Sequence, residues 1–463
     1  MDAILRLVET LNQYLWNSLL LVALVGTGVY FTIRLGFVQV RKLGQGLKFT
    51  LGGLTLRGEK ADHQGMSSFQ ALATAVAGQV GTGTIAGAAT AIVSGGPGAV
   101  FWMWVSAFFG MATNYAEAVL AQKYRTTDEN GKAVGGPAYY IRAAFPNRFG
   151  KVLAGFFSAA LILALGFMGN MVQSNSISDA MYNAFGVPKI VVGVAVALVA
   201  GFIFLGGVQR IVSVTEKLVP VMALLYIGGS LIVLACNWRS LPGVIASIFV
   251  AAFDPAAVLG GAAGITVQKA MRFGVARGLF ANEAGMGSTP HAHALAKVEK
   301  PQDQGITAMI GVFLTTFVIL TLTALVILST GAAASGLTGA ALSQYAFATV
   351  FGKAGNMFIA LCMLFFAFST IVGWYLFGQM NVKVLLGERA VKPYALLVVM
   401  FIAVGACLKV QLVWDAADLF NGLMVLPNLL ALLALSKLVV NLERACRADE
   451  ETTGKPAASA CGE

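Results

Sequence analysis

The stretches 191–204 and 313–328 hold no charged residue, and apart from threonine hydroxyls they are apolar around the whole helical circumference. A helix with no polar face is stable only inside a larger body or in lipid. Similar runs recur along the chain. A spanning helix needs about 20 mostly apolar residues, and eleven such segments are predicted, near 14–34, 66–95, 97–121, 152–185, 188–207, 211–237, 244–272, 304–331, 354–385, 392–409 and 412–437. Composition then identifies lipid as the solvent. With 58% hydrophobic residues, 11% charged residues and a mean hydropathy of +0.79, the 463 residues hold too little polar surface to cover a water-soluble globule. Short alternating strands of the outer-membrane type are not the pattern here. The expected fold class is an all-α polytopic membrane protein.

Lys and Arg collect in cytoplasmic loops, so their placement predicts orientation. Arg34, Arg41, Lys42, Lys48, Arg57 and Lys60 follow the first span, and Lys123, Arg125, Lys132, Arg142, Arg148 and Lys151 follow the third. Lys269, Arg272, Arg277, Lys297 and Lys300 follow the seventh, and Lys383, Arg389 and Lys392 follow the ninth. All fall on one face if the N-terminus is outside and the C-terminus inside a bacterial cytoplasmic (inner) membrane. The net charge of +10 is accounted for by this topology and gives no argument for nucleic acid. Residues 1–17 lack the basic start and cleavage site of a signal peptide, so residues 1–35 are expected to provide a retained, additional first helix. Cys236, Cys362, Cys407, Cys446 and Cys461 are scattered without metal-ligand spacing.

Glycine interrupts the helical pattern in two places. The second span carries AGQVGTGTIAG at 77–87, and the seventh carries GGAAGIT at 260–266, five spans later. Broken helices at corresponding places in two halves are the mark of transporters built from inverted repeats, which here would occupy 66–237 and 244–437. A polar stretch from Arg444 to Glu463 is expected to form a disordered cytoplasmic tail. Freed backbone groups cannot face lipid, so a break must meet protein, water or ligand. The bland alternative is close helix packing through the Gly83/Gly87 pair.

A break of this kind suits a zwitterion. Backbone N–H groups at Gly81, Thr82 and Gly83, at the start of a half-helix, can hold a carboxylate without any Arg. Sodium wants hard oxygens, which freed carbonyls and the hydroxyls of Ser369 and Thr370 offer. Trp374, one turn beyond Thr370, lies on the same face and is a candidate wall. Glu117, Asp179 and Asp254 fall near predicted span ends and are expected to be interfacial or paired, which favours sodium over protons as the driving ion. His291 and His293 lack further ligands at metal spacing. A channel would need a continuous polar pore. No hydrolytic triad or His-Glu-x-x-His motif suggests an enzyme, and no resident cofactor is expected.

The stretches SGGPGAVFWMWVSAFFGM (94–111) and FANEAGMGS (280–288), with VGTG at 80–83 and GGPAYY at 135–140, resemble the alanine or glycine:cation symporter family, with agreeing spacing from about residue 14 to 440. The resemblance implies a leucine-transporter-like fold of five plus five inverted helices with an extra N-terminal helix. It also implies sodium-coupled uptake of alanine, glycine or a related neutral amino acid such as glutamine or serine. By position it implies substrate contacts at Gly81, Thr82, Gly83, Gly169, Gln173, Thr370 and Trp374, and a sodium cage from Ala77, Val80, Ser369 and Thr370. The chain departs from the family at Thr84, where an Asn is usual, so an amide becomes a hydroxyl. The segment 278–288 is expected on the cytoplasmic side, with Asn282 and Glu283 as gating or loop-structuring groups and not substrate ligands.

Overall fold

The computed structural model describes residues 8, 10–52, 65–129, 131–259, 265–408 and 410–453. The first half begins with α1 (Leu20–Arg34), entered through a π-type turn, then α2 (Val38–Arg41) and α3 (Leu43–Gly52). It continues with α4 (Ser68–Gln79), a π-type turn (Gly83–Gly87), α5 (Ala88–Gly95) and α6 (Gly98–Lys123). A small antiparallel hairpin pairs β1 (Thr126–Thr127) with β2 (Ala133–Val134), Thr126 opposite Val134. Next come α7 (Pro137–Ala144), α8 (Arg148–Leu161), a π-type segment (Ile162–Gly169), α9 (Asn170–Phe185), α10 (Lys189–Leu205) and α11 (Gly207–Cys236).

The second half runs through α12 (Leu241–Phe253), α13 (Pro255–Leu259), α14 (Val267–Asn282), α15 (Pro290–Ala294) and α16 (Pro301–Phe313). A π-type segment (Leu314–Leu320) leads into α17 (Thr321–Ser329), followed by α18 (Gly339–Phe351), α19 (Lys353–Leu386), α20 (Val391–Gly405), α21 (Val410–Ala434) and α22 (Ser436–Thr453).

Among the described residues, five helical stretches are long and apolar enough to cross a membrane: Arg148–Phe185, Gly207–Cys236, Pro301–Ser329, Lys353–Leu386 and Val413–Ala434. The pair Ser68–Gln79 and Gly83–Gly95, bent by 49°, makes a sixth, and Leu20–Arg34, Lys189–Leu205 and Trp238–Phe253 are shorter apolar helices. On α10, Leu198, Phe202 and Leu205 are 67%, 67% and 80% exposed. Protein leaves these faces uncovered, and a bilayer is the solvent that suits them.

The predicted seventh span does not exist as one segment. Residues 260–264, which carry most of the expected second break, lie outside the described residues, and the predicted span 244–272 is divided around them and at Asp254 into α12, α13 and α14. The interruption that the structure describes in this half lies further on. α14 ends at Asn282, Glu283 turns left-handed (φ 57°), the chain passes Gly285 (φ 82°) and Gly287 (φ 80°), and helix resumes at Pro290. Positive φ is cheap only for glycine, which is why this turn needs that spacing.

The two interrupted helices cross antiparallel. α14 packs against α5 and the π-type turn before it, while α15 packs against α4, so each first half meets the other's second half. A backbone bridge fixes one end: Met66 N–H donates to Leu295 O (2.8 Å), and Lys297 N–H donates to Met66 O (2.9 Å). At the other end, a Cβ on Gly95 would meet Ala270 and Phe273 at 3.2 Å. The expected basic group after the seventh span is therefore divided. Lys269 and Arg272 stand at the Gly95 end, and Lys297 stands with Met66.

The predicted disordered tail also starts too early, since α22 runs to Thr453. Buried Glu443 pins this helix, accepting from Tyr115 Oη (2.5 Å) and Arg41 Nη2 (3.2 Å), with Lys42 Nζ at 3.7 Å. Residues 454–463 lie outside the described residues.

Candidate substrate and cation site

The first break is made by a short helix that stops on schedule. Ser67 caps α4 in a capping box, its Oγ accepting Gln70 N–H and Gln70 Oε1 accepting Ser67 N–H, both at 3.1 Å. At the other end Val80 leaves the helical conformation (φ −91°, ψ 80°). Thr84 Oγ1 then donates to Gly81 O at 2.8 Å. The Thr84 hydroxyl, where the resemblance implied an Asn, thus caps a carbonyl within the break.

Two helices close on this turn. From α9, Gln173 Oε1 accepts the Thr82 backbone N–H at 3.1 Å. From α19, Thr370 Oγ1 donates to Ala77 O at 2.8 Å and to Phe366 O at 3.1 Å, while Ser369 Oγ lies 3.5 Å from Ala77 O and 2.8 Å from Phe366 O. The bond to the carbonyl one turn back is the ordinary fate of a helical hydroxyl, but the shared approach to Ala77 O is not local. It gathers a carbonyl and two hydroxyls, all hard oxygens, at the end of a half-helix. Val80 borders the same turn.

Glycine is needed here for space. A Cβ on Gly81 would overlap the Thr370 hydroxyl and come within 3.0 Å of Gln173 Oε1. One on Gly169 would sit 2.5 Å from Trp374 Cζ3. Gly81, Thr82, Gly169, Gln173, Thr370 and Trp374 are thus brought together. Gly83 is placed differently, with its Cβ position facing Phe280 (3.0 Å) and the Ala281 backbone (3.1 Å) of α14. It serves the helix crossing. Thr82 Oγ1, fully buried, has no hydrogen-bond partner.

The segment 278–288, expected as a loop on the cytoplasmic side, is buried throughout and joined to the first break. Gln79 Nε2 donates to Asn282 O (2.8 Å), and Asn282 Nδ2 donates to Thr316 Oγ1 (3.1 Å), joining the second break to the first and to the π-type segment after α16. Glu283 Oε1 accepts the indole N–H of Trp374 at 2.5 Å, and its Oε2 accepts Ser288 Oγ at 2.5 Å. Two π-type segments, ending at Gly169 and spanning Thr316, flank this centre, as such wide turns often do at functional sites.

Beneath the second break, buried Glu117 accepts the N–H groups of Gly285 and Gly287, both at 3.0 Å, and the Asn428 amide at 2.6 Å. Its partners are neutral hydrogen-bond donors of the turn and of α21, where an interfacial or paired group was expected. Asp179 pairs with Lys189, and Asp254 accepts Ala257 N–H at 3.2 Å. His291 bonds Ser288 O and Asn381 (both 2.8 Å), and His293 bonds Gln304 Oε1 (2.9 Å). Among the described residues no cluster of three or more metal-type ligands occurs.

A cavity of about 640 Å³ opens beside the start of α4, lined by Met66, Gln70, Tyr139, Glu216, Gln379 and Lys383 among others. Gln379 lies nine residues beyond Thr370 on α19, about 13 Å at helical rise. Gln70 Nε2 donates to Glu216 Oε2 at 3.0 Å across the border of the cavity.

Solved transporters share this architecture. MhsT in complex with L-phenylalanine aligns with TM-score 0.57 at 13% identity, covering 83% of this chain and 99% of that one. A Na+-coupled sialic acid symporter in a substrate-bound outward-open state aligns with TM-score 0.52 at 14% identity, covering 86% and 81%. Sequence relatives are nearer. The "Sodium/alanine symporter AgcS" of Methanococcus maripaludis is 41% identical over 443 residues, 95% of this chain and 96% of the relative. The "Probable sodium/glutamine symporter GlnT" of Bacillus subtilis is 41% identical over 436 residues, 94% and 89%. Residues 1–459 match the family described as the sodium:alanine symporter family. With the whole length matched and the paired breaks in place, this chain is a membrane transporter and belongs to the sodium:alanine symporter family.

Proposed function

We propose that this chain is a sodium-coupled symporter importing small neutral amino acids, alanine and glycine foremost, across the bacterial cytoplasmic membrane by alternating access. The observation that carries the reading is the meeting of Ala77 O with Ser369 and Thr370 beside a break whose Thr82 N–H is already matched to an acceptor oxygen. Sodium, as cargo, takes Ala77 and Val80 carbonyls with the two hydroxyls. The substrate carboxylate takes N–H groups at Gly81 and Thr82, displacing Gln173 Oε1. Trp374 walls the side chain.

Crowding favours a small substrate. Thr370 and Gln173 fill the space beside Gly81, and Trp374 fills that beside Gly169. Residues 66–237 and 244–437 are read as inverted repeats because the interrupted helices cross antiparallel, one from each half. The N-terminus is assigned outside and the C-terminus inside, with Lys132 and Lys383 at the 640 Å³ cavity on the inner side.

Purified protein in proteoliposomes tests this directly. Labelled alanine and glycine should accumulate under an inward sodium gradient, and uptake indifferent to sodium overturns the reading. A competition panel with serine and glutamine ranks the substrates.

A further inference from the structure

Glu283 is fully buried, yet both its oxygens hold neutral donors: Trp374 Nε1 and Ser288 Oγ, each at 2.5 Å. It stands at the left-handed end of α14, where its own N–H donates to Leu279 O at 2.7 Å, so its backbone is fixed before its side chain reaches out. The indole it grips is enclosed on its other sides. Gly169 lies against Cζ3 and Cε3, Gly78 against Cδ1, and Phe280 meets the ring edge-on with centroids 6.2 Å apart.

We infer that Glu283 is a positioning residue that sets the upper size of the transported side chain by locking the Trp374 indole against Gly169. This deepens the proposed function and rests on it. The physical reason is directional. Gly169 and Gly78 only stop the ring from advancing into their helices, and van der Waals contact gives way gradually. The N–H bond to a carboxyl oxygen fixes the ring's rotation, and breaking it leaves a buried donor and a buried acceptor unmatched. A substrate with a longer side chain must turn the indole and lose that bond, whereas alanine or glycine need not. The second break thereby acts on selectivity through α19 without touching the substrate.

The test compares wild type with E283A, E283Q, W374F and the E283A/W374F double variant, all full-length in proteoliposomes, by kcat/KM for alanine and for glutamine. In E283A and in W374F, which lacks the N–H, the glutamine-to-alanine ratio should rise about tenfold, the cost of one buried hydrogen bond left unmade. The double variant should show no further rise, and E283Q, which keeps an acceptor, should stay near wild type. A ratio unchanged in E283A but raised in W374F overturns the inference, as does an equal loss for both substrates. A second readout is independent of transport. The Trp374 indole ¹⁵N–H resonance, identified by its loss in W374F, should move upfield in E283A and by part of that shift in E283Q, which also serves if E283A does not fold. An unmoved resonance overturns the inference even if the wild type transports neither amino acid, an outcome that would instead sink the proposed function.

Discussion

Gln173 and Thr82 are joined by a hydrogen bond in which a side-chain amide oxygen, 3.1 Å away, accepts a backbone N–H at the start of a broken helix. An amide oxygen in that place imitates one oxygen of a carboxylate. The bond closes the break, and under the proposed function it is the one that a substrate carboxylate replaces.

Replacing Gln173 by Ala therefore has a signed outcome. The Thr82 N–H loses its buried partner, lowering substrate-free stability by about 1–3 kcal/mol. Alanine, meeting no competitor there, should then raise the melting temperature by more than in wild type. Thermal unfolding in detergent with and without alanine checks it, and equal shifts in both proteins would separate Gln173 from the carboxylate site.

Thr370→Val keeps the shape and removes the hydroxyl that reaches Ala77 O. The sodium concentration for half-maximal alanine uptake should rise about tenfold, the loss of one oxygen ligand or hydrogen bond. Uptake at saturating sodium should stay within a few-fold of wild type. A sodium curve indistinguishable from wild type would remove Thr370 from the cage.

Gly81→Ala and Gly169→Ala place a methyl where Thr370 and Trp374 already stand, and both should lose uptake while still reaching the membrane. Gly26→Ala is the control, because nothing lies within 4 Å of its added carbon. Should all three transport equally, the crowding around the site is dispensable.

Thr82→Val separates binding from folding. Since Thr82 Oγ1 is buried without a partner, the substitution should cost no stability while weakening alanine binding, if substrate supplies the missing partner. Isothermal titration at saturating sodium, paired with a melting curve, checks both halves. Unchanged affinity would leave only the backbone of Thr82 in the site.

Glu117→Gln tests the floor beneath the second break. An amide cannot accept from Gly285, Gly287 and Asn428 with both oxygens, so the variant should unfold more readily, by about 1–3 kcal/mol. Intact stability would show that the loop holds itself.

Most spanning helices were legible because lipid imposes length and apolarity together, and a run such as α19 declares itself. The first break was legible through VGTG, and the family resemblance located Gly169, Gln173, Thr370 and Trp374 before any of them could be seen to meet. The second break was not. Its signal, Glu283-Ala284-Gly285-Met286-Gly287-Ser288, is glycine-rich, opens on a carboxylate and follows Arg277, which reads as an aqueous loop unless one knows that Glu117, far away on α6, supplies the acceptor for two of its N–H groups. At Gly83 the absence of a side chain serves the crossing with α14 and leaves room for ligand approach equally well.

The ladder at Met66 has a mechanical meaning. Because one residue both donates to Leu295 and accepts from Lys297, the foot of the first interrupted helix and the exit of the second share a backbone seam that no rotamer change can open. The cavity beside Met66 thus borders a single lever, and whatever bends one half-helix away from Glu216 carries the other with it.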